Sequence, residues 1–570
     1  MHFSVVAATL LSAIHATVQS SGTKCKTFPG EHMWPSTSDW DAFNQTVRGR
    51  LVATVPLGTP CHGSAFDNAL CEDLKSKWQY EEIHYESSSS VMAPFFANQS
   101  CDPFQPKERP CKLGNYVAYA VNASGPEDIQ RTIAFATQNN IRLVVRNTGH
   151  DYLGRSTGAG SLAVWTHYLK DITHMSAYKG SGYTGAAFKF GAGVQGFEAM
   201  AAARDQGLVI VGGECPTVGI AGGYTQGGGH SALSTSFGLA ADNVLSWEVI
   251  TADGELVIAS AEENSDLYWA LKGGGGSTFG VVLSMTAKAH KESPVFGGAS
   301  LSFYATNTTQ DKLYTGIQAF HEELPAMVDA GSMVIYYFTS EFFSIAPLSA
   351  YNKTEAEVRT ILAPFVAKLD SLGVAYTATY SEYGTYYDHF DKYFGPLPIG
   401  TIQVGIAQYA ARLIPRDVVS TISDTWKAIV EKGVTWIGVG LDVKSTGSQD
   451  TSSVHPAWRD ALVHATLTLP WSFTAPWSDA LATQRKMTDE IMPLIEAATP
   501  GSGSYVNEAD FHQPNFQETF WGSNYDKLVN IKKKWDPADL FYATLGVGSE
   551  VWEVGNDGRM CRTTETPRDV

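Results

Sequence analysis

Gly212-Gly-Glu-Cys-Pro-Thr-Val-Gly-Ile-Ala-Gly-Gly-Tyr-Thr-Gln-Gly-Gly-Gly229 carries the strongest signal in this chain. Glycines at Gly213, Gly219, Gly222, Gly223, Gly227, Gly228 and Gly229 let the backbone approach something that side chains would hold off. Among them stands Cys215, the cysteine that local pairing leaves over. Cys61 with Cys71 and Cys101 with Cys111 are spaced for inexpensive loop closure, and Cys25 with Cys561 would then join the two ends of the chain. A thiol left unpaired in such a set points to a reactive or covalently used sulfur. Upstream, Arg146-Asn-Thr-Gly-His-Asp-Tyr-Leu-Gly-Arg-Ser156 follows a buried strand pattern at 141–145. Its successive N–H groups, with Ser156 and Arg146 or Arg155, suit an anion nest for a pyrophosphate. A third close-approach turn is Leu271-Lys-Gly-Gly-Gly-Gly-Ser-Thr-Phe-Gly280. Several such turns together suit a long, flat cofactor with a diphosphate at its middle.

Outward from these turns, strand patterns near 187–191, 208–211, 246–250 and 281–288 alternate with helices near 127–139, 197–205 and 264–271. From 295 to 505 the texture changes. Strand-like stretches at 333–339, 401–411, 435–443 and 465–469 lie between amphipathic helices near 311–323, 354–372, 417–432 and 478–498. That pattern predicts an antiparallel sheet with helices on one face, and an α+β class overall. A basic helix at 524–534 stops at Asp536-Pro537. With 570 residues, 44% of them hydrophobic, the chain exceeds one ordinary core. Residues 21–111, rich in Ser, Pro, Cys and aromatics, read as a disulfide-pinned segment lying over the main body.

The charge of −18 and pI near 5.3 exclude a nucleic-acid partner, which needs clustered Lys and Arg. No apolar run reaches membrane-spanning length, and the short one at 5–14 reads as part of a secretory signal over residues 1–20. Sequons at Asn44, Asn98, Asn122, Asn307 and Asn352, with the paired cysteines, favour a secreted, extracellular protein. Histidine spacing offers no zinc pattern and no Gly-x-Ser-x-Gly turn occurs, so metal and serine-hydrolase chemistry are not expected. Gly191-Ala-Gly-Val-Gln-Gly196 matches a dinucleotide fingerprint, with Glu214 roughly where the ribose acid would stand. Packing of a helix on its neighbouring strands accounts for the same glycines.

These turns, in this order, with Tyr505-Val-Asn-Glu-Ala-Asp510 and Trp535-Asp-Pro537 near the C-terminus, resemble the berberine-bridge-like branch of the vanillyl-alcohol oxidase/p-cresol methylhydroxylase flavoproteins, in its secreted fungal form. The resemblance implies a two-part FAD-binding module (112–290 with 506–570) and a substrate domain (295–505). It implies FAD bonded through its 8α-methyl to His150 and through ring carbon C6 to Cys215. Arg146, Asn147, Thr148, Gly149, Asp151, Arg155 and Ser156 of the first turn, and Pro216, Thr217, Val218 and the glycines of the second, then contact the cofactor, with Asn243 and Asn507. Backbone amides of the glycine turn are expected to lower the Cys215 thiol pKa.

The implied activity is an oxidase that removes hydride from an alcohol carbon of a carbohydrate or secondary metabolite and reduces O2 to hydrogen peroxide. Such a step needs a base for the hydroxyl proton. Tyr505 is the first candidate, as a tyrosinate stabilised by nearby positive charge. Glu508 stands where related chains carry a second aromatic, and it rivals Tyr505. Asp510 is a further rival, as is Asp442, which would share a pocket-facing strand side with Trp436. Val218, small and three residues after Cys215, suits access by oxygen. Competing expectations are a flavin dehydrogenase or oxidative cyclase, and a flavin-containing binding protein without activity. The protein is expected to act as a monomer on a small-molecule substrate.

Overall fold

The computed structural model describes residues 25–447 and 451–563; the expected signal segment lies outside them. Three sheets organise the molecule. A four-stranded sheet runs Leu51–Ala53, Tyr119–Asn122, Leu162–Trp165, Leu143–Arg146, its last three strands parallel. Helix Pro126–Gln138 begins with Pro at its first turn, where the missing N–H costs nothing, and buries Ile129, Ile133 and Ala136 at helical spacing against this sheet. A five-stranded antiparallel sheet follows in the order Ile172–Gly180, Tyr183–Gly191, Val281–Lys288, Val244–Ile250, Leu256–Ser260.

The third sheet has seven antiparallel strands, in the order Tyr376–Tyr383, Phe296–Tyr304, Phe342–Tyr351, Ser332–Phe338, Thr435–Gly440, Ala461–Pro470, Ala407–Pro415. Both of its faces are covered. Along Ser332–Phe338, Val334, Tyr336 and Phe338 pack into a core with helices Gln310–Asp329, Glu355–Leu372 and Ser423–Val430, whereas Met333 and Ile335 join a core shared with the five-stranded sheet. A strand buried on both sides carries a continuous apolar run rather than an alternating one, which is what 333–338 shows. Trp436 lies on the helix side, stacked on Phe338, so it does not line a pocket as expected. The strand expected at 401–411 starts later, at Ala407, and the helix expected over 417–432 shortens to Ser423–Val430.

Gly191 and Gly193, from the dinucleotide-like fingerprint, serve packing. A Cβ at Gly193 would stand 2.0 Å from the His167 carbonyl oxygen, and one at Gly191 2.4 Å from that of Leu169. Disulfides Cys25–Cys561, Cys61–Cys71 and Cys101–Cys111 form as the spacing suggested, leaving Cys215 free. The N-terminal segment lies over the body: Gln99 and Gln105 donate to the carbonyls of Ala475 and Phe473. A buried ion pair joins the first part of the chain to the seven-stranded unit, Arg459 gripping both Asp242 carboxylate oxygens at 2.7 and 2.9 Å. No helix among the described residues is long and apolar enough to cross a membrane.

Candidate active site

All three glycine-rich turns and the Tyr505 motif meet at one pocket. Its wall includes Asn147 to Tyr152, Gly213 to Cys215, Val218, Gly276 and Ser277, and it is closed by Tyr505, Asn507 and Glu508. The Arg146 turn leaves the end of strand Leu143–Arg146, which aims its backbone at the pocket. Arg146 itself points away, buried, with its guanidinium donating to the His84 carbonyl at 3.0 Å. Arg155 and Ser156 do line the pocket, and the Arg155 guanidinium ties the C-terminal segment down there by donating to the carbonyls of Val506, Thr544 and Leu545. The N–H groups of Arg155 and Ser156 donate to the Asp151 carboxylate. Asn243 holds the carbonyls of Phe237 and Leu239 and lies outside the pocket wall, as do Gly227, Gly228 and Gly229, which shape the turn behind Tyr505.

His150 and Cys215 face the same cavity, linked through Thr217, whose hydroxyl lies 2.8 Å from His150 Nε2 and 3.5 Å from Cys215 Sγ. Burial, helped by His84 and Arg146, pushes the His150 imidazole down to about 3, so it is neutral and one ring nitrogen keeps its lone pair. The Cys215 thiol moves opposite to expectation. Burial, then the Glu81 carboxylate 3.6 Å from the sulfur, pushes it up to about 12, outweighing its contacts with Thr217.

Glu508 occupies the centre of a charge cluster that sequence reasoning missed. It accepts hydrogen bonds from His230 Nε2 (3.1 Å), His464 Nε2 (2.8 Å) and the Thr466 hydroxyl (3.0 Å). Burial alone would raise its pKa, but the charge on His230 and the hydrogen bonds from both imidazoles outweigh it and hold the carboxyl well below the usual range, while His464, pushed down by its own burial, acts as a neutral donor. His230 also contacts Glu214 through Nδ1 at 3.3 Å. With a carboxylate at each ring nitrogen it carries two protons; burial opposes this, and Glu214 and Glu508 override it to raise His230 well above the imidazole range. His230, His464 and Glu508 offer ligand atoms within 4.8 Å of one another, yet a doubly protonated His230 has no lone pair for a metal ion. Two signals were legible: His230 directly follows the Gly229 end of the glycine run, and His464 breaks the apolar run Ala461-Leu-Val463 of its strand.

Tyr505 is buried beside this cluster. Its hydroxyl accepts from Asn507 Nδ2 at 2.7 Å, and Asn507 also donates to the Gly223 carbonyl. Burial, and then the negative Glu508, push its pKa well up, so Tyr505 holds its proton rather than forming the tyrosinate expected of a base. Asp510 and Asp442 lie outside the pocket wall. Asp510 is held by Gln484 and Thr488, and Asp442 faces Arg416 in a separate surface cleft. At the pocket wall Tyr152 stacks on Tyr409 with centroids 4.0 Å apart, next to Ile402 and Val404.

Linkage gives the His230 and Glu508 pair a defined pH window. A raised His230 pKa contributes stability that is complete below the ordinary 6.5 and lost as pH rises through the folded value. A depressed Glu508 pKa contributes above the ordinary 4.5 and is lost as pH falls through its folded value. Both contributions are therefore complete between 4.5 and 6.5. The melting temperature of His230→Asn is expected to fall furthest below the wild type in that interval, with the gap closing on either side. A pH-independent gap would refute the ionic assignment.

A pocket walled by glycine turns between two sheets, with a half-buried imidazole and a free thiol on one cavity, defines an FAD-binding oxidoreductase fold. The residues fit that cofactor. Asn147 Oδ1 is buried at the wall without a partner, and a Cβ at Gly276 would stand 3.0 Å from Gly223 Cα, so two turns close on the cavity only as glycine. An FAD-binding-domain family model matches residues 117–260, and a berberine and berberine-like model matches 504–548. FAD-linked oxidoreductase ZEB1 of Gibberella zeae is 58% identical over 97% of this chain and 98% of that protein. FAD-linked oxidoreductase patO of Aspergillus clavatus is 45% identical over 99% of this chain and 98% of that protein. Among solved structures, the VAO-type flavoprotein MtVAO615 of Myceliophthora thermophila C1 aligns with a TM-score of 0.91 at 41% identity, over 95% of this chain and 100% of that one. Glucooligosaccharide oxidase of Acremonium strictum, whose FAD is 6-S-cysteinyl and 8α-N1-histidyl, shares the fold at TM-score 0.62 and 19% identity, over 76% of this chain and 92% of that one. The chain belongs to the FAD-linked oxidoreductases of the vanillyl-alcohol oxidase type, in their berberine-bridge-like branch.

Proposed function

We propose that this chain is a secreted oxidase with bicovalent FAD that takes hydride from an alcohol carbon of a secondary metabolite and delivers the electrons to dioxygen, forming hydrogen peroxide. Residues 112–290 with 506–570 form the flavin module, and 295–505 the substrate domain. The convergence of His150, Cys215 and an ionised Glu508 on one pocket carries this assignment. His150 and Cys215 hold the cofactor at its 8α-methyl and C6. Bound there, FAD supplies a two-electron acceptor that dioxygen reoxidises.

Glu508 takes the hydroxyl proton. As hydride leaves, the substrate O–H becomes that of a protonated carbonyl, a far stronger acid than any carboxylic acid, so a carboxylate with a depressed pKa still accepts it. His230 and His464 fix its two oxygens and keep it charged before substrate arrives. Tyr505, protonated, donates to the substrate oxygen, and Asn507 fixes its hydroxyl. Val218, small and on the pocket wall, supports access by oxygen. The apolar wall of Tyr152, Ile402 and Val404 supports an apolar alcohol over a sugar. The paired cysteines support export.

Purified protein is expected to give a yellow pellet on acid precipitation. It should bleach anaerobically with lipophilic and aromatic alcohols before oligosaccharides, and release peroxide when air returns. A colourless pellet would overturn the covalent attachment. Bleaching that air does not reverse would make the protein a dehydrogenase, and a flavin that no donor bleaches would make it a binding protein.

A further inference from the structure

Glu81 has no part in the alcohol chemistry, yet it reaches the active-site sulfur. It comes from the N-terminal segment, just before the short helix Glu82–Tyr85, and is fully buried. Its Oε1 lies 3.6 Å from Cys215 Sγ, and its Oε2 is buried with no partner. Among the described residues no cation pairs with it. An uncompensated carboxylate in such a place is costly, and burial pushes Glu81 up to about 7, so near neutral pH it exchanges protons readily. Cys215 needs such a neighbour. A thiol bonds carbon as its thiolate, and burial pushes this thiol up to about 12, which leaves almost none ionised in neutral solution. The other group at the sulfur, the Thr217 hydroxyl, is no base at neutral pH.

We propose that Glu81 is the general base that removes the Cys215 proton when the sulfur bonds to flavin carbon C6. This rests on the bicovalent attachment proposed above. In the step, the S–H and C6–H bonds break and the S–C6 bond forms. Glu81 takes the thiol proton, and the C6 proton leaves to water. The two electrons released reduce the flavin, which regains both protons; dioxygen reoxidises it to give one hydrogen peroxide per link, and Glu81 is regenerated. Glu81 is thus a maturation residue, needed once in the life of each molecule.

The test uses secreted full-length wild type, Glu81→Gln, Glu81→Asp and Cys215→Ala, denatured, alkylated and read by peptide mass. Glu81→Gln is expected to keep flavin on the His150 peptide while Cys215 is alkylated as a free thiol, with the C6 link forming about 100-fold more slowly. Incubation of Glu81→Gln in air at rising pH should restore the link, the rate climbing about tenfold per pH unit as hydroxide replaces the base. Glu81→Asp, with a shorter reach, should link at an intermediate rate. Wild-type rates in Glu81→Gln would overturn the proposal and leave bicovalent attachment standing. A Glu81→Gln protein that never links, even at pH 9, would overturn it in favour of a packing role. A wild type whose Cys215 is itself alkylated would remove the bicovalent reading and this proposal together.

Discussion

Glu508→Gln is expected to slow flavin reduction by an alcohol donor about 10²–10⁴-fold, while the denatured protein stays yellow. Glutamine preserves the shape of the side chain and its contact with Thr466, but it removes the charge that His230 and His464 sustain. An amide oxygen cannot take a proton from the developing carbonyl, so the loss falls on kcat rather than on KM. Rapid-mixing measurement of anaerobic bleaching at saturating donor checks this. Tyr505→Phe should cost less, because its hydroxyl is already protonated and acts as a donor. A large loss in Tyr505→Phe with near wild-type bleaching in Glu508→Gln would return the base role to the tyrosine.

The second large effect concerns stability. Arg459→Met is expected to destabilise the protein by about 3–5 kcal/mol, because it strips the buried Asp242 carboxylate of the guanidinium paired with it. The side chains are 8% and 2% exposed, and the guanidinium also donates to the Val443 carbonyl at 2.9 Å. The pair spans the two halves of the molecule, so the loss should appear in denaturant unfolding as a lower midpoint for both halves. Removing both charges, in Asp242→Leu/Arg459→Met, should recover much of the deficit, since two apolar groups need no mutual compensation. A single variant as stable as the wild type would show that water reaches Asp242.

What could be read from residue order was whatever is local. The turn around His150, the Cys215 run and the Tyr505 motif are contiguous, and their side chains meet at one cavity. Helix Glu355–Leu372 was legible to within one residue, because Thr354 and Glu357 form a capping box and Gly373 ends it in the left-handed region. The disulfides were legible from loop length for the two short pairs and by elimination for the long one.

Contacts between distant positions were not legible. Alternation along 435–440 separates two faces but does not say which meets a cofactor, and Trp436 went to the helices. The apolar residues Ile402 and Val404 mimic the start of a strand and instead wall the pocket. Glu508 was one candidate among four until His230 and His464, remote in sequence, gave it a charged environment. The Cys215 thiol was misjudged because the glycine turn says nothing of how deeply the sulfur is buried, nor of Glu81 beside it.

The order in which the pocket walls occur along the chain has a bearing on biosynthesis. Most of the cavity is drawn from residues 145–282, but Tyr505, Asn507 and Glu508 close it, and Arg155 grips the carbonyls of Val506, Thr544 and Leu545. A nascent polypeptide emerging from the ribosome therefore lacks an enclosed cofactor chamber until its final stretch has been translated and docked. An enclosed chamber for flavin exists only in a nearly finished molecule.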